Sequence, residues 1–434
     1  MEQNKSVYTC FCTDTIHEGH LNILREAAKL GEVTVGILCD SEMIRYNRFP
    51  TKTMEERMEM IKMLPGVKKA VVQEHIMYDE VFEKLHPAYV VHGDNWAHPS
   101  MQAIRKNIIA LTKKHGGELI EIPYTYSVNV QKKDRQIFEK MSMPEFRRAR
   151  LRKLLSMRNI VKAIEVHSGL TGLIAEKTVV VENEAIDQFD AMWFSSLCDS
   201  TDKGKPDIEL VDLTSRLRTV NDVMEVTTKP VIFDGDTGGL AEHFVYTVRS
   251  LERMGISAVI IEDKKGLKKN SLFGTQVEQT QAGIEEFCEK IAAGKSAQLS
   301  EDFMIIARIE SLILGRGMED ALDRAFAFRE AGADGIMIHS CQKEPDEILE
   351  FCKKFRRKDQ TTPIVAVPSS YHIVTEAQLA ACGVNIVIYA NQLLRAAFPA
   401  MENAAKSILM HHSAHEADQS LMPIGQIITL IDEI

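Results

Sequence analysis

The chain has no apolar run long enough to cross a bilayer as a helix, so it does not read as a helical membrane protein. It has no excess of positive charge. The formal net charge of −10 argues against a nucleic-acid surface, although local Lys and Arg clusters can still dominate a cleft for a small anion. It lacks paired cysteines: the 8 cysteines are scattered singly apart from Cys10 and Cys12. That spacing without a second pair points away from zinc, and toward free thiols in a reducing cytoplasm. Residues 1–5 carry no signal-peptide pattern. His411, His412 and His415 have no carboxylate or cysteine at metal-ligand spacing and read as a polar tail.

What is present is a globular composition, 45% hydrophobic and 26% charged, in a chain of 434 residues. That length is too great for one ordinary core and predicts two domains. Residues 6–12, 33–38, 68–72, 88–92 and 119–122 read as buried strands. Residues 21–30 have helical spacing and stop before Gly31, so the first part predicts a parallel open sheet. Between residues 131 and 158 Lys and Arg crowd around Leu151, Leu154 and Leu155. This reads as an amphipathic connecting helix with a solvated basic face. The expected divisions are 1–135, a connector over 136–158, and a second domain over 159–434.

The second domain repeats apolar strand and helix. Candidate strands cover 161–166, 191–194, 231–233, 258–261, 304–307, 335–338, 364–367 and 385–389, the tally of a (β/α)8 barrel. Groups able to do chemistry follow each strand: His167-Ser168, Ser195-Ser196, Asp234 and Asp236, Glu262-Asp263-Lys264, Arg308 and Glu310, His339-Ser340, Ser369-Ser370, and Asn391. A closed barrel brings such positions to one mouth.

The most informative stretch is Asp234-Gly235-Asp236-Thr237-Gly238, which leaves a short apolar run. By itself it also suits a solvated turn. With Glu262 from the next strand it offers a hard oxygen cluster for Mg2+. Arg308 and His339 follow on the next strands. A cation beside them suits a small, multiply negative substrate, and the plainer role for Arg308 is an ion pair with Glu310. Residues 262–271, rich in lysine and with Gly266 as a hinge, read equally as a solvated loop or as a lid over an anion.

Over residues 161–409 these motifs resemble phosphoenolpyruvate mutase, of the isocitrate lyase and phosphoenolpyruvate mutase superfamily. Residues 262–271 fit the family's E-D-K-x-x-x-K-x-N-S gating loop, and 234–238 fit its D-x-D-T-G metal motif. Ala307-Arg308-Ile309-Glu310 and Gly332-Ala333-Asp334…His339-Ser340 fit two further segments. The resemblance implies that Asp234 binds Mg2+ directly, with Asp236 and Glu262 acting mainly through water. It implies that Asp207 is the essential aspartate near the metal. Trp193, Ser195, Ser196 and Leu197 would form the substrate-binding stretch. Arg308, His339, Asn270 and Ser271 would hold phosphoryl oxygens, and Lys268 would stabilise the closed loop. Two positions depart from the family: Ser196 stands where Gly is usual, and Gly235 where Ala is usual.

The implied reaction interconverts phosphoenolpyruvate and phosphonopyruvate in phosphonate biosynthesis, coupled to a downstream decarboxylase. The loop carries no Cys, unlike isocitrate-lyase-type enzymes, which argues against C–C cleavage. Phosphonopyruvate hydrolase typically lacks the Asn that is Asn270 here, so hydrolysis is the alternative. The resemblance also implies a tetramer exchanging a C-terminal helix, for which 393–410 could serve.

In the first domain, Asp14-Thr15-Ile16-His17-Glu18-Gly19-His20 follows a strand and opens a helix, where a triphosphate can bind. Capping or core histidines are an equally good reading of His17 and His20. With Met54-Glu55-Glu56-Arg57 and His92-Gly93-Asp94-Asn95-Trp96, the stretch resembles the cytidylyltransferase family over residues 7–130. Phe11-Cys12 replaces the family's Gly-Thr, and Val128-Asn129-Val130-Gln131 its late I-S-S-T-like segment. The likeness implies CTP and Mg2+ as co-substrates, or a nucleotide-binding module without chemistry.

Overall fold

The computed structural model describes residues 5–13, 15–45, 48–96, 99–123, 125, 135–136, 138–182 and 185–431. Asp14, Val128-Asn129-Val130-Gln131 and, within the connector, Ile137 lie outside them.

The N-terminal part is an open parallel sheet of β1 (Ser6–Phe11), β2 (Glu32–Leu38), β3 (Val67–Gln73), β4 (Tyr89–Gly93) and β5 (Glu118–Ile122). Its spatial order is β3-β2-β1-β4-β5. The order reverses between β1 and β4, which opens a crevice at their carboxyl ends, the usual ligand site of such sheets. The helix Glu18–Leu30 packs on this sheet through Leu24 and Ala27.

The second part contains β6 (Val161–Val166), β7 (Val179–Glu182), β8 (Ala185–Gln188), β9 (Ala191–Phe194), β10 (Val231–Asp234), β11 (Ala258–Glu262), β12 (Lys264–Lys265), β13 (Thr280–Gln281), β14 (Met304–Ile309), β15 (Gly335–Ile338), β16 (Ile364–Ala366) and β17 (Ile386–Tyr389). Eight of them close a parallel barrel in the order β10-β11-β14-β15-β16-β17-β6-β9. Alternation along each strand separates two cores. Val161, Ala163, Ile232, Ile260, Ile306 and Ile386 fill the barrel interior, whereas Val166, Phe233, Ile261, Ile305 and Ile338 face the surrounding helices. The hairpin β7–β8 stands outside the barrel sheet, and the sequence reading did not anticipate it.

The connecting helix, Pro144–Met157, corrects one expectation. Its basic residues are not a solvated face: Arg147 and Arg150 are buried. Arg147 Nη1 donates to Thr227 Oγ1 (3.0 Å) and Nη2 to the Met224 carbonyl (3.1 Å), and Arg150 reaches the Thr228 carbonyl. These carbonyls precede β10, so the helix closes the N-terminal end of the barrel, where Leu151 and Leu154 enter the interior core. Ile44 of the first domain joins that core, and Phe49 stacks under the Arg150 guanidinium, 4.5 Å from ring centroid to cation. Burial pushes the Arg147 guanidinium down to about 10, still charged at neutral pH. Arg147→Ala strands several buried carbonyls. It is expected to cost about 2–4 kcal/mol in chemical denaturation, whereas the exposed Arg135→Ala should cost less than about 0.5 kcal/mol.

Among the described residues no helix is long and apolar enough to cross a membrane.

Candidate active site

The C-terminal ends of adjacent barrel strands carry the acids. β10 ends on Asp234 and β11 on Glu262, and Glu262 is in register with Arg308 of β14. Arg308 lies inside its strand rather than after it, because β14 continues to Ile309. Its Nε donates to Glu310 Oε1 (2.6 Å), and its Nη2 donates to Ser271 Oγ (2.6 Å) and His339 Nδ1 (2.9 Å). The ion pair with Glu310 therefore exists, and it aims the guanidinium at the mouth. Burial, then Arg308, pushes the His339 imidazole down. Neutral His339 that accepts at Nδ1 keeps its proton on Nε2, where it can donate.

The loop after β11 is folded over the mouth. Lys268 Nζ donates to Asp207 Oδ1 (2.7 Å) and Ser196 Oγ (2.8 Å) and pairs with Asp236. Asn270 Nδ2 donates to Asp207 Oδ2 (2.9 Å), and Asn270 Oδ1 accepts from Leu272 N (3.0 Å). Burial disfavours the Lys268 ammonium, but Asp236, Asp234, Glu262 and Asp207 outweigh it and hold the group above the ordinary lysine range.

Beneath the loop is a cavity of about 60 Å3. Trp193, Ser195, Ser196, Leu197, Asp207, Asp234, Glu262, Lys268, Asn270, Ser271, Arg308 and His339 all line it. Asp236 sits behind the wall, bonded to Lys268 and to Arg216 Nη1 (2.8 Å). Arg216, stacked on Phe233, was not singled out in the sequence; an arginine inside a helix carries no local signal of a buried partner. Met337 and Val367 supply apolar lining and were likewise invisible as site residues.

Three groups expected at the mouth do other work. His167 Nδ1 is bonded to buried Glu165 (2.8 Å), and Ser168 caps the helix Gly169–Lys177. Asp263 pairs with Arg324 (3.0 Å) beneath the loop.

The two departures have different consequences. Ser196 is not among the positive-φ residues, so its side chain costs no backbone strain. Its hydroxyl donates to Asp234 Oδ2 (2.8 Å) and its N–H donates to the same oxygen (3.1 Å). Gly235 is sterically required: a Cβ there would lie 2.7 Å from Val259 Cγ2 and 2.9 Å from the Ile260 carbonyl oxygen. Gly235→Ala is expected to lower stability by about 1–3 kcal/mol, read as a fall in the thermal midpoint.

The donor set fits a hard divalent cation. Asp234 and Glu262 offer carboxylate oxygens on adjacent strands, the chemistry Mg2+ prefers. Among the described residues Glu262 Oε1 is buried without a hydrogen bond, although Lys264 Nζ lies 3.1 Å away outside hydrogen-bonding geometry. Burial pushes the Glu262 carboxyl up to about 7 against Arg308 and Lys264. An added cation would restore its charge.

A second cavity, of about 750 Å3, lies at the β1/β4 crevice. His17 is the N-cap of the helix Glu18–Leu30, with Nδ1 accepting from Gly19 N (3.1 Å), and its ring lies 3.9 Å from that of His20. Both histidines line the cavity, with Cys10, Cys12, Arg48, His92 and Asn95. His17 thus both caps the helix and lines the cavity. Arg57 is fully buried and donates to the Leu38 carbonyl (2.9 Å), a packing role.

Residues 151–409 match the family model described as phosphoenolpyruvate phosphomutase, and residues 8–138 match the one described as cytidylyltransferase-like. A phosphonopyruvate hydrolase of Variovorax sp. (strain Pal2) is 37% identical over 282 residues, covering 64% of this chain and 93% of its own length. A phosphoenolpyruvate phosphomutase of Streptomyces hygroscopicus is 37% identical over 288 residues, covering 65% and 87%. A crystal structure of phosphonopyruvate hydrolase in complex with oxalate and Mg2+ is 36% identical, with a TM-score of 0.58 over 65% of this chain and 94% of that one. Equal identity to the mutase and the hydrolase leaves the choice of reaction to the site itself.

Proposed function

The chain belongs to the phosphoenolpyruvate phosphomutase family, and from that premise we propose that its barrel interconverts phosphoenolpyruvate and phosphonopyruvate with Mg2+. In that reaction the bond from phosphorus to the enol oxygen breaks and a bond from phosphorus to the methylene carbon forms. No water enters the product. The observation that carries the reading is the loop folded across the mouth: Asn270 and Lys268 both bond Asp207, over a cavity small enough for a compact anion and too small for a nucleotide.

Bound Mg2+, held by Asp234 and, directly or through water, by Glu262 and Asp236, would neutralise substrate charge. The remaining work belongs to side chains. Arg308 and the Nε2–H of His339 bind phosphoryl oxygens. Ser271, accepting from Arg308, fixes that fork against Glu310. Lys268 and Asn270 exclude water while the phosphoryl group is between oxygen and carbon; such loose transition states depend on positioning and electrostatics. Asp207 orients the loop and faces the cavity. The backbone N–H of Ser196 fixes Asp234.

Hydrolysis is the second reading, favoured by the 37% identity to the hydrolase. Supplying phosphonopyruvate with Mg2+ and assaying pyruvate separates them. Phosphoenolpyruvate without pyruvate supports the mutase; stoichiometric pyruvate and phosphate overturn it. We further propose that the N-terminal domain binds a nucleoside triphosphate, CTP being the first to test, and that the protein serves phosphonate biosynthesis in the cytoplasm as a homo-oligomer upstream of a decarboxylase.

A further inference from the structure

We propose that the N-terminal cavity is a two-domain site, in which the barrel's hairpin β7–β8 forms the wall that holds the uncharged, nucleoside part of a nucleoside triphosphate. The inference deepens, and rests on, the nucleotide reading of the first domain.

A parallel barrel needs only a helix between consecutive strands. Here a two-stranded antiparallel arm is inserted between the helix Gly169–Lys177 and β9, and among the described residues it pairs with nothing in the barrel sheet. The arm leans on the other domain. Ile186, 1% exposed, belongs to the cluster of Tyr8, Tyr78, Phe82, Trp96 and Ile104 and not to either barrel core. Val179 packs against the same cluster. The Lys162–Asp187 ion pair ties the arm back to β6.

A clamp between domains would account for Ile186 alone. Yet Val179, Ile186 and Gln188 also line the 750 Å3 cavity, joined by Glu176 and Thr228 from the underside of the barrel. That volume is of the size that encloses a nucleotide-sized ligand. The charges give the ligand a direction. His17 and His20 stand at a helix N-terminus with Arg48 nearby, a suitable place for phosphates. The barrel's contribution has no cation among these five residues: two apolar side chains, an amide, a hydroxyl and a carboxylate. A triphosphate gains nothing there, whereas a base and sugar gain apolar contact and hydrogen bonds. The barrel's own mouth lies at the opposite end of its strands, beyond the Pro144–Met157 plug, so the two cavities do not share a passage and any product moves between them through solvent.

The test is calorimetric titration of the full-length protein with CTP and Mg2+, beside Ile186→Glu and Gln188→Ala. A charge placed in an apolar wall should weaken binding by about tenfold or more, and loss of the amide by about threefold. If Ile186→Glu loses its folded thermal transition, Gln188→Ala, at a half-buried polar position, decides. Affinities of folded variants within about twofold of the parent would overturn the proposal and leave the arm a clamp. A wild-type protein that binds none of the four nucleoside triphosphates would instead sink the nucleotide reading, and the wall with it.

Discussion

Asn270→Thr is expected to send the phosphoryl group to water. In the parent the amide does two jobs from one side chain: Nδ2 holds Asp207 at 2.9 Å, while Oδ1 accepts from Leu272 N at 3.0 Å and fixes the loop's next turn. Threonine is a carbon shorter in reach and carries a single hydroxyl, so it cannot span both. The loop would then close less tightly, and Asp207 would regain a free carboxylate oxygen able to orient water. Pyruvate and phosphate should rise from a trace to a major share of turnovers, a partition change of about tenfold or more, read by comparing pyruvate with phosphoenolpyruvate. Total consumption of phosphonopyruvate should fall less than the partition changes, because Arg308 and His339 are untouched. An unchanged partition would show that the loop does not guard the intermediate.

Asp234→Asn is expected to have the larger effect on rate. Asp234 is the acid at the end of β10, and two Ser196 donors, the N–H at 3.1 Å and the hydroxyl at 2.8 Å, lock one of its oxygens. The amide removes one negative charge and gives the Ser196 N–H a competing donor. If Asp234 is the principal metal ligand, as proposed, its loss should reduce kcat/KM by about 10³-fold or more, some 4 kcal/mol of transition-state stabilisation. Direct titration with Mn2+ should show weakened metal binding in the same variant. Asp236→Asn should be milder for metal and harsher for the loop, since Asp236 lies behind the cavity between Arg216 and Lys268. Equal metal affinity in Asp234→Asn and wild type would remove Asp234 from the metal site.

The fold and the site were legible in the sequence to different depths. Barrel strands are short, doubly buried apolar runs, so β6, β9 and β15 could be delimited from composition alone. Where a strand continues through polar residues the apolar signal stops early, which is why Arg308 was placed after β14 instead of inside it. Fourteen lining residues, Ser369 and Asn391 among them, could be named because chemistry clusters at strand ends and the loop after β11 has a fixed order of residue types in the family it resembles. Arg216, Met337 and Val367 could not, because an arginine in a helix and an apolar residue at a strand end look the same whether or not they face a ligand. The buried arginines of the Pro144–Met157 helix show the same limit. Sequence pattern reads a basic face as solvated, and only the carbonyls between the last turn of the helix Leu213–Glu225 and β10, at Met224, Thr227 and Thr228, reveal where those charges go. His167 illustrates the converse error: a strand-end histidine that serves Glu165 instead of the mouth.

The decisive measurement is a phosphorus NMR spectrum of the protein acting on phosphonopyruvate with Mg2+ in water enriched in 18O. A site that moves phosphorus between carbon and oxygen without water yields phosphoenolpyruvate whose three non-bridging phosphoryl oxygens carry no label, label in the bridging enol oxygen coming only from exchange of the ketone. Inorganic phosphate containing 18O, formed with an equal amount of pyruvate, would contradict it.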